Sequence, residues 1–225
     1  MNSATTEPLA TNTGATASKT PSFSTGKQPM VLTDIYQDDF NMVVWERSLS
    51  EELINATSDF VSNNPDFSKS VNVSSESAYQ ELQKSLDDLP PSLVQNIAEL
   101  VDMFCCLFDL KDAGVRLATL NRAMCPRFHV DRVPCRLVTT FHGTATQWLP
   151  NHVLDRSKLG HGSNGQPDHA SGLYQDESNI QQLGCGDVAL LKGGAWIGNE
   201  ETALVHRSPM VPEGENRLLL TLDFG

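Results

Sequence analysis

In the stretch "RFHVDRV" a histidine and an aspartate, His129 and Asp131, stand two residues apart. An imidazole nitrogen and a carboxylate oxygen are both good ligands for a divalent cation. In an extended chain, side chains two apart project to one face, so the pair could reach a single ion. Taken alone, the pair reads more readily as the polar outer face of a strand. Near the other end, "ALVHRSPMVPEGENRLLLTLDF" supplies His206 at a strand end and Arg217 inside an apolar run. Two imidazoles and one carboxylate on one face form an open, facial ligand set with positions to spare. A charge inside an apolar run is costly to bury, so Arg217 either points outward or faces an anion in a pocket. Cys125, in "CPRFHVD", adds a thiol whose participation would shift the preference toward zinc. Its alternative is a small buried cysteine, with Pro126 turning the chain away.

The elements that must position these residues come in two textures. The span 1–28 is rich in Ser, Thr, Ala and Gly and reads as a disordered tail. From 29 to 113 the chain is mainly helical, after a short strand at "NMVVWER". Ser48 or Ser50 caps a first helix ahead of Glu51 and Glu52, and "NNPDFS" ends it. A second helix covers 77–86. In the third, "SLVQNIAELVDMFCCLFDLKD", Val94, Ile97, Leu100, Val101, Phe104, Leu107 and Phe108 trace one face, as a core helix would. From 114 to 225 short strands follow, among them "VRLATLNR", "FHVDRV", "RLVTTFHGT", "DVALLKG", "TALVHRS" and "NRLLLTLDF". The polar span 151–182 is too long for a hairpin connection and reads as a functional or a mobile loop. One domain, 29–225, accounts for all of this.

Composition narrows the function. The net charge of -12 disfavours a nucleic-acid partner, whose phosphates need clustered Lys and Arg. No apolar run approaches the twenty residues of a membrane span, and the start lacks the build of a secretory signal. Five cysteines without framework spacing suit a reducing compartment, so a cytoplasmic protein is expected. "HGSNG" and "GCGD" match neither a nucleophile elbow nor a phosphate loop. His142 stands on the presumed second strand, where it could face a pocket. His152, His161 and His169 read as loop residues, and Trp148 and Trp196 as core or pocket wall.

The order His129-x-Asp131, His206, Arg217 resembles the signature of Fe(II)- and 2-oxoglutarate-dependent dioxygenases, over roughly 116–224. The resemblance implies an α+β protein: a double-stranded β-helix (cupin-like jelly roll) with N-terminal helices packed on it. It implies Fe(II) on His129, Asp131 and His206, and Arg217 on the far carboxylate of 2-oxoglutarate. Two departures are visible. The region "VRLATLNRAMCPRF" has Asn121 and Arg122 but no cosubstrate-binding tyrosine, and Leu219 stands where those enzymes often have Ser or Thr. The whole chain, especially "CPRFHVDRVPCRLVTTFHGTATQWLP", more closely resembles an uncharacterised bacterial domain family with members in zinc-homeostasis gene neighbourhoods. That resemblance implies an alternative: a non-catalytic zinc protein of metal homeostasis that adds Cys125 to the same ligands. An interaction scaffold without stoichiometric metal is the third reading. The substrate, small molecule or protein, is open, as is the oligomeric state.

Overall fold

A computed structural model describes residues 21–86 and 88–225. The strands are β1 (Ser22–Gly26), β2 (Phe40–Trp45), β3 (Ser68–Ser74), β4 (Asp112–Leu120), β5 (Cys135–His142), β6 (Gln147–Leu149), β7 (Gln181–Gln182), β8 (Val188–Lys192), β9 (Val205–Arg207) and β10 (Arg217–Phe224). Three main helices precede β4: α1 (Glu51–Asn63), α2 (Ala78–Ser85) and α3 (Pro91–Phe108).

The helices start and stop for local reasons. Ser50 caps α1 by accepting from the Leu53 N–H at 3.2 Å, and Glu51 and Glu52 occupy its first turn. Pro91 opens α3, where its missing N–H costs nothing, and Asp109 closes it in the left-handed conformation with φ 53°. By length and composition α3 could cross a bilayer, but Leu93, Ile97, Val101 and Phe104 are buried against the sheet. It is a core helix.

The strands form a seven-stranded sheet in the order β1-β2-β8-β5-β10-β4-β3 and a three-stranded sheet in the order β7-β6-β9. An isolated bridge from His129 to His206 adds the 129 segment beside β9. From β4 onward the chain alternates between the sheets: β4 large, the 129 segment small, β5 large, β6 and β7 small, β8 large, β9 small, β10 large. That alternation is a double-stranded β-helix, the jelly roll expected from the resemblance. The helices and the outer face of the large sheet share one apolar cluster, including Leu82, Ile97, Phe104, Leu137, Leu190, Leu218 and Leu220.

Three details differ from the sequence reading. β1 lies inside the span 1–28 read as a tail; parallel pairing with β2 and the edge-on contact of Phe23 with Trp148 order it despite its polar composition. Residues 1–20 of that span lie outside the described residues. β3 was not foreseen, because "SKSVNVS" is a polar strand on the sheet edge. And "FHVDRV" is not a strand: only His129 pairs, and the chain then bends toward Pro134.

The span 151–182 folds as a series of single turns with a short helix, α4 (Asp168–Ser171), and ends in β7. Its Leu173 and Tyr174 pack with Phe128, Leu149 and Val205, and Val153, Leu154, Leu159 and Ile180 surround them.

Candidate metal centre

His129 and His206 exchange both backbone hydrogen bonds, each 3.0 Å long. Residues directly opposite in an antiparallel pair place their side chains on the same face. The imidazole centroids are accordingly 4.6 Å apart. Asp131 follows on the bend, which is shaped by Gly193 and Gly194 of the opposing turn. The Gly194 N–H donates to the Asp131 carbonyl at 2.8 Å. A Cβ on Gly193 would fall 2.1 Å from the Val133 carbonyl oxygen and 2.8 Å from that of Asp131. Only glycine permits this approach.

The result is a cluster in which one ligand atom from each of His129, Asp131 and His206 lies within 4.8 Å of the others. His129 Nε2 is 3.8 Å from Asp131 Oδ1, and His206 Nε2 is 3.4 Å from Asp131 Oδ2. The remote ring nitrogens face backbone carbonyls, His129 Nδ1 to Arg127 O at 2.9 Å and His206 Nδ1 to Leu204 O at 3.4 Å. Placing the proton on Nδ1 leaves both Nε2 lone pairs converging beside a carboxylate, the donor set and outer support of a metal-binding histidine pair. Burial and the neighbouring His206 push the His129 pKa down, toward the neutral form a metal requires. For Asp131, burial alone would raise the pKa. In the metal-free cluster a proton on His206 Nε2, donated to the carboxylate, then Arg136 and His129, outweigh burial and hold it at about 2; a bound metal would take the place of that proton. Two imidazoles and one carboxylate fit a divalent transition metal and leave coordination positions open.

Arg136, on β5, was not singled out by the sequence. Its guanidinium donates to Asp131 Oδ2 at 2.8 Å and grips both oxygens of Asp223, at 2.7 and 2.8 Å. Burial would lower its pKa, but Asp223 and Asp131 prevail and raise it. A carboxylate has lone pairs enough for both Arg136 and a metal.

Arg217 is in the opposite situation. Its side chain is fully buried, and it donates only to hydroxyls: Ser208 Oγ at 3.2 Å, Thr140 Oγ1 at 3.1 Å and Thr146 Oγ1 at 3.3 Å. Its Nε has no partner, and no carboxylate pairs with it among the described residues. Burial alone pulls its pKa down to about 10, so it stays charged at neutral pH. Gly143, at φ 79°, lets β5 turn directly against it; a Cβ there would be 2.4 Å from the Asn216 carbonyl oxygen. An uncompensated buried cation of this kind fits a bound anion.

The cluster of His129, Asp131 and His206 lines a cavity of about 250 Å³ whose walls also include Arg136, Thr146 and Ser208. Arg217 is not itself in the wall but donates to the Thr146 and Ser208 hydroxyls that are. Leu219 contributes apolar wall, so the hydroxyls expected near it come instead from Thr140, Thr146 and Ser208. Cys125 lines the same cavity with an exposed side chain but is not part of the three-ligand cluster. Asn121 and Arg122 are exposed. His142 does not line the cavity, and His152, His161 and His169 are exposed. The hydroxyl and Arg136 contacts join residues 5 to 87 positions apart, so only the topology could reveal most of them.

Fold and site together define a jelly-roll protein with a candidate metal centre between its sheets. The chain belongs to the family described as a protein of unknown function (DUF1826), whose model matches residues 26–223. Among curated proteins no significant match is found. Similar solved structures include the dioxygenase for auxin oxidation 1 from Arabidopsis thaliana in a 2-oxoglutarate complex. It is 9% identical, with 91% of this chain and 92% of that one covered and a TM-score of 0.48. The rice dioxygenase for auxin oxidation is 11% identical, covering 91% and 82%, with a TM-score of 0.46. A Pseudomonas putida prolyl-4-hydroxylase is 13% identical, covering 87% and 96%, with a TM-score of 0.41.

Proposed function

We propose that the protein is an Fe(II)- and 2-oxoglutarate-dependent oxygenase. The observation that carries this reading is Arg217: a buried guanidinium without a carboxylate, held by hydroxyls that line the cavity of the His129, Asp131 and His206 cluster. His129, Asp131 and His206 would hold the metal. Bound Fe(II), together with 2-oxoglutarate and O₂, would supply the oxidative chemistry. The protein's own part is placement. The Nδ1 contacts aim the imidazoles, Arg136 fixes the Asp131 carboxylate, and Arg217 pairs with the far carboxylate of 2-oxoglutarate. Val138 and Leu219 provide a dry wall that strengthens this pairing.

Calorimetric titration of 2-oxoglutarate into the anaerobic Fe(II)-loaded protein tests the reading. Binding by the wild type and its loss in Arg217→Met are expected; equal binding by both, or by neither, contradicts it.

A second reading is supported by Cys125 on the cavity wall: a zinc protein of metal homeostasis in which Cys125 closes the coordination sphere. Cys125→Ser separates the two. A large loss of zinc affinity favours the closed site, and unchanged affinity favours the open one.

A further inference from the structure

The span 151–182 returns one buried carboxylate to the two segments that carry the histidines. Asp168, 9% exposed, accepts a hydrogen bond from the Phe128 N–H at 2.8 Å. The same carboxylate lies 3.7 Å from Arg127 Nε and 3.5 Å from Arg207 Nη1. Arg127 and Phe128 immediately precede His129, and Arg207 immediately follows His206.

The surrounding contacts reinforce this arrangement. The Arg207 guanidinium lies over the Phe128 ring at 4.3 Å and donates to Gln147 Oε1 at 2.8 Å. Arg127 donates to Ser163 Oγ at 3.0 Å and to the Gln166 carbonyl, both in the same span as Asp168. The Arg127 carbonyl in turn meets His129 Nδ1. A chain of contacts thus runs from Asp168 through Arg127 to the ring whose orientation decides where Nε2 points.

We propose that Asp168 is a positioning residue that holds the His129 and His206 segments in register, so that order in the span 151–182 sets the affinity of the metal centre. The proposal rests on the metal reading above. Without the carboxylate, the buried Phe128 N–H has no acceptor and two arginines beside the ligands lose their shared anion. The metal ligands themselves stay in place, so the effect is on their aim.

The test compares full-length wild type, Asp168→Ala and Asp168→Asn in two measurements. The first reads imidazole ¹⁵N chemical shifts of His129 and His206 in metal-free protein, which report tautomer and hydrogen bonding. The second titrates Co(II) and follows its visible absorption. In Asp168→Ala both rings should shift, and Co(II) affinity should fall roughly ten- to a hundred-fold, the usual consequence of losing outer support. Asp168→Asn keeps an oxygen for the Phe128 N–H while losing the charge, so its effect should be intermediate. Ring shifts and Co(II) affinity indistinguishable from wild type in a folded variant overturn the proposal. Should Asp168→Ala not fold, wild-type behaviour of Asp168→Asn does the same. A wild type that takes up no Co(II), with ring shifts that still respond to Asp168→Ala, leaves the positioning role standing and removes the metal reading.

Discussion

Along β10, Leu218, Leu220 and Leu222 face the helices, whereas Arg217, Leu219, Thr221 and Asp223 belong to the space on the other side of the sheet. β5 repeats the pattern, with Cys135, Leu137 and Phe141 toward the helices and Arg136, Val138 and Thr140 away from them. One sheet therefore carries an apolar face packed on α1–α3 and a face that buries guanidinium groups and hydroxyls. The first face holds the fold together through hydrophobic burial. The second gives up stability, most clearly at Arg217, whose guanidinium is buried without a carboxylate partner among the described residues.

Substitutions on the two faces should separate stability from binding. The largest loss is expected on the helix side. Leu220→Ala removes a fully buried side chain and should cost about 2–5 kcal/mol in urea unfolding, with the metal stoichiometry of the folded protein unchanged. Gly193→Ala should cost about 1–3 kcal/mol, because the new methyl group displaces the bend after His129. Unlike the leucine variant, it should also weaken metal binding, measured by Co(II) titration. Thr140→Val removes one of the hydroxyls on Arg217 and should cost about 1 kcal/mol by the same unfolding assay. Arg217→Met should lie at the end of the series, between neutral and about 2 kcal/mol more stable, since it replaces a buried unpaired charge with an apolar side chain of similar length. A strongly destabilised Arg217→Met would mean that the guanidinium is structural, and the contrast between the faces would collapse.

The contrast also explains what could be read in advance. The helices and the strands β4, β5, β6, β8, β9 and β10 were legible, because each carries apolar residues that the core buries; β7, two exposed glutamines inside the span 151–182, was not. Nor were β1 and β3. They end the large sheet on either side, where edge strands keep polar side chains and lose that period. The cluster of His129, Asp131 and His206 was legible from order and spacing, although the alternation argument for "FHVDRV" gave way to a cross-strand histidine pair followed by a bend. Arg217 stood out as a charge in an apolar run. Its hydroxyl partners, and Arg136 with Asp223, were hidden, since they come from other strands and have no local signature. Asp168 has no local signature in its polar span, and only the fold brings it to Phe128.

The central claim is that His129, Asp131 and His206 hold a metal and that Arg217, behind the Ser208 and Thr146 hydroxyls of the same cavity wall, holds a carboxylate. Anaerobic addition of Fe(II) and then 2-oxoglutarate to the metal-free protein, followed by visible absorption, tests both halves at once. The account predicts a charge-transfer band as 2-oxoglutarate chelates the iron, lost in Asp131→Ala and in Arg217→Met. A folded wild type that gives no band under these conditions, or a band that persists in Arg217→Met, would contradict it.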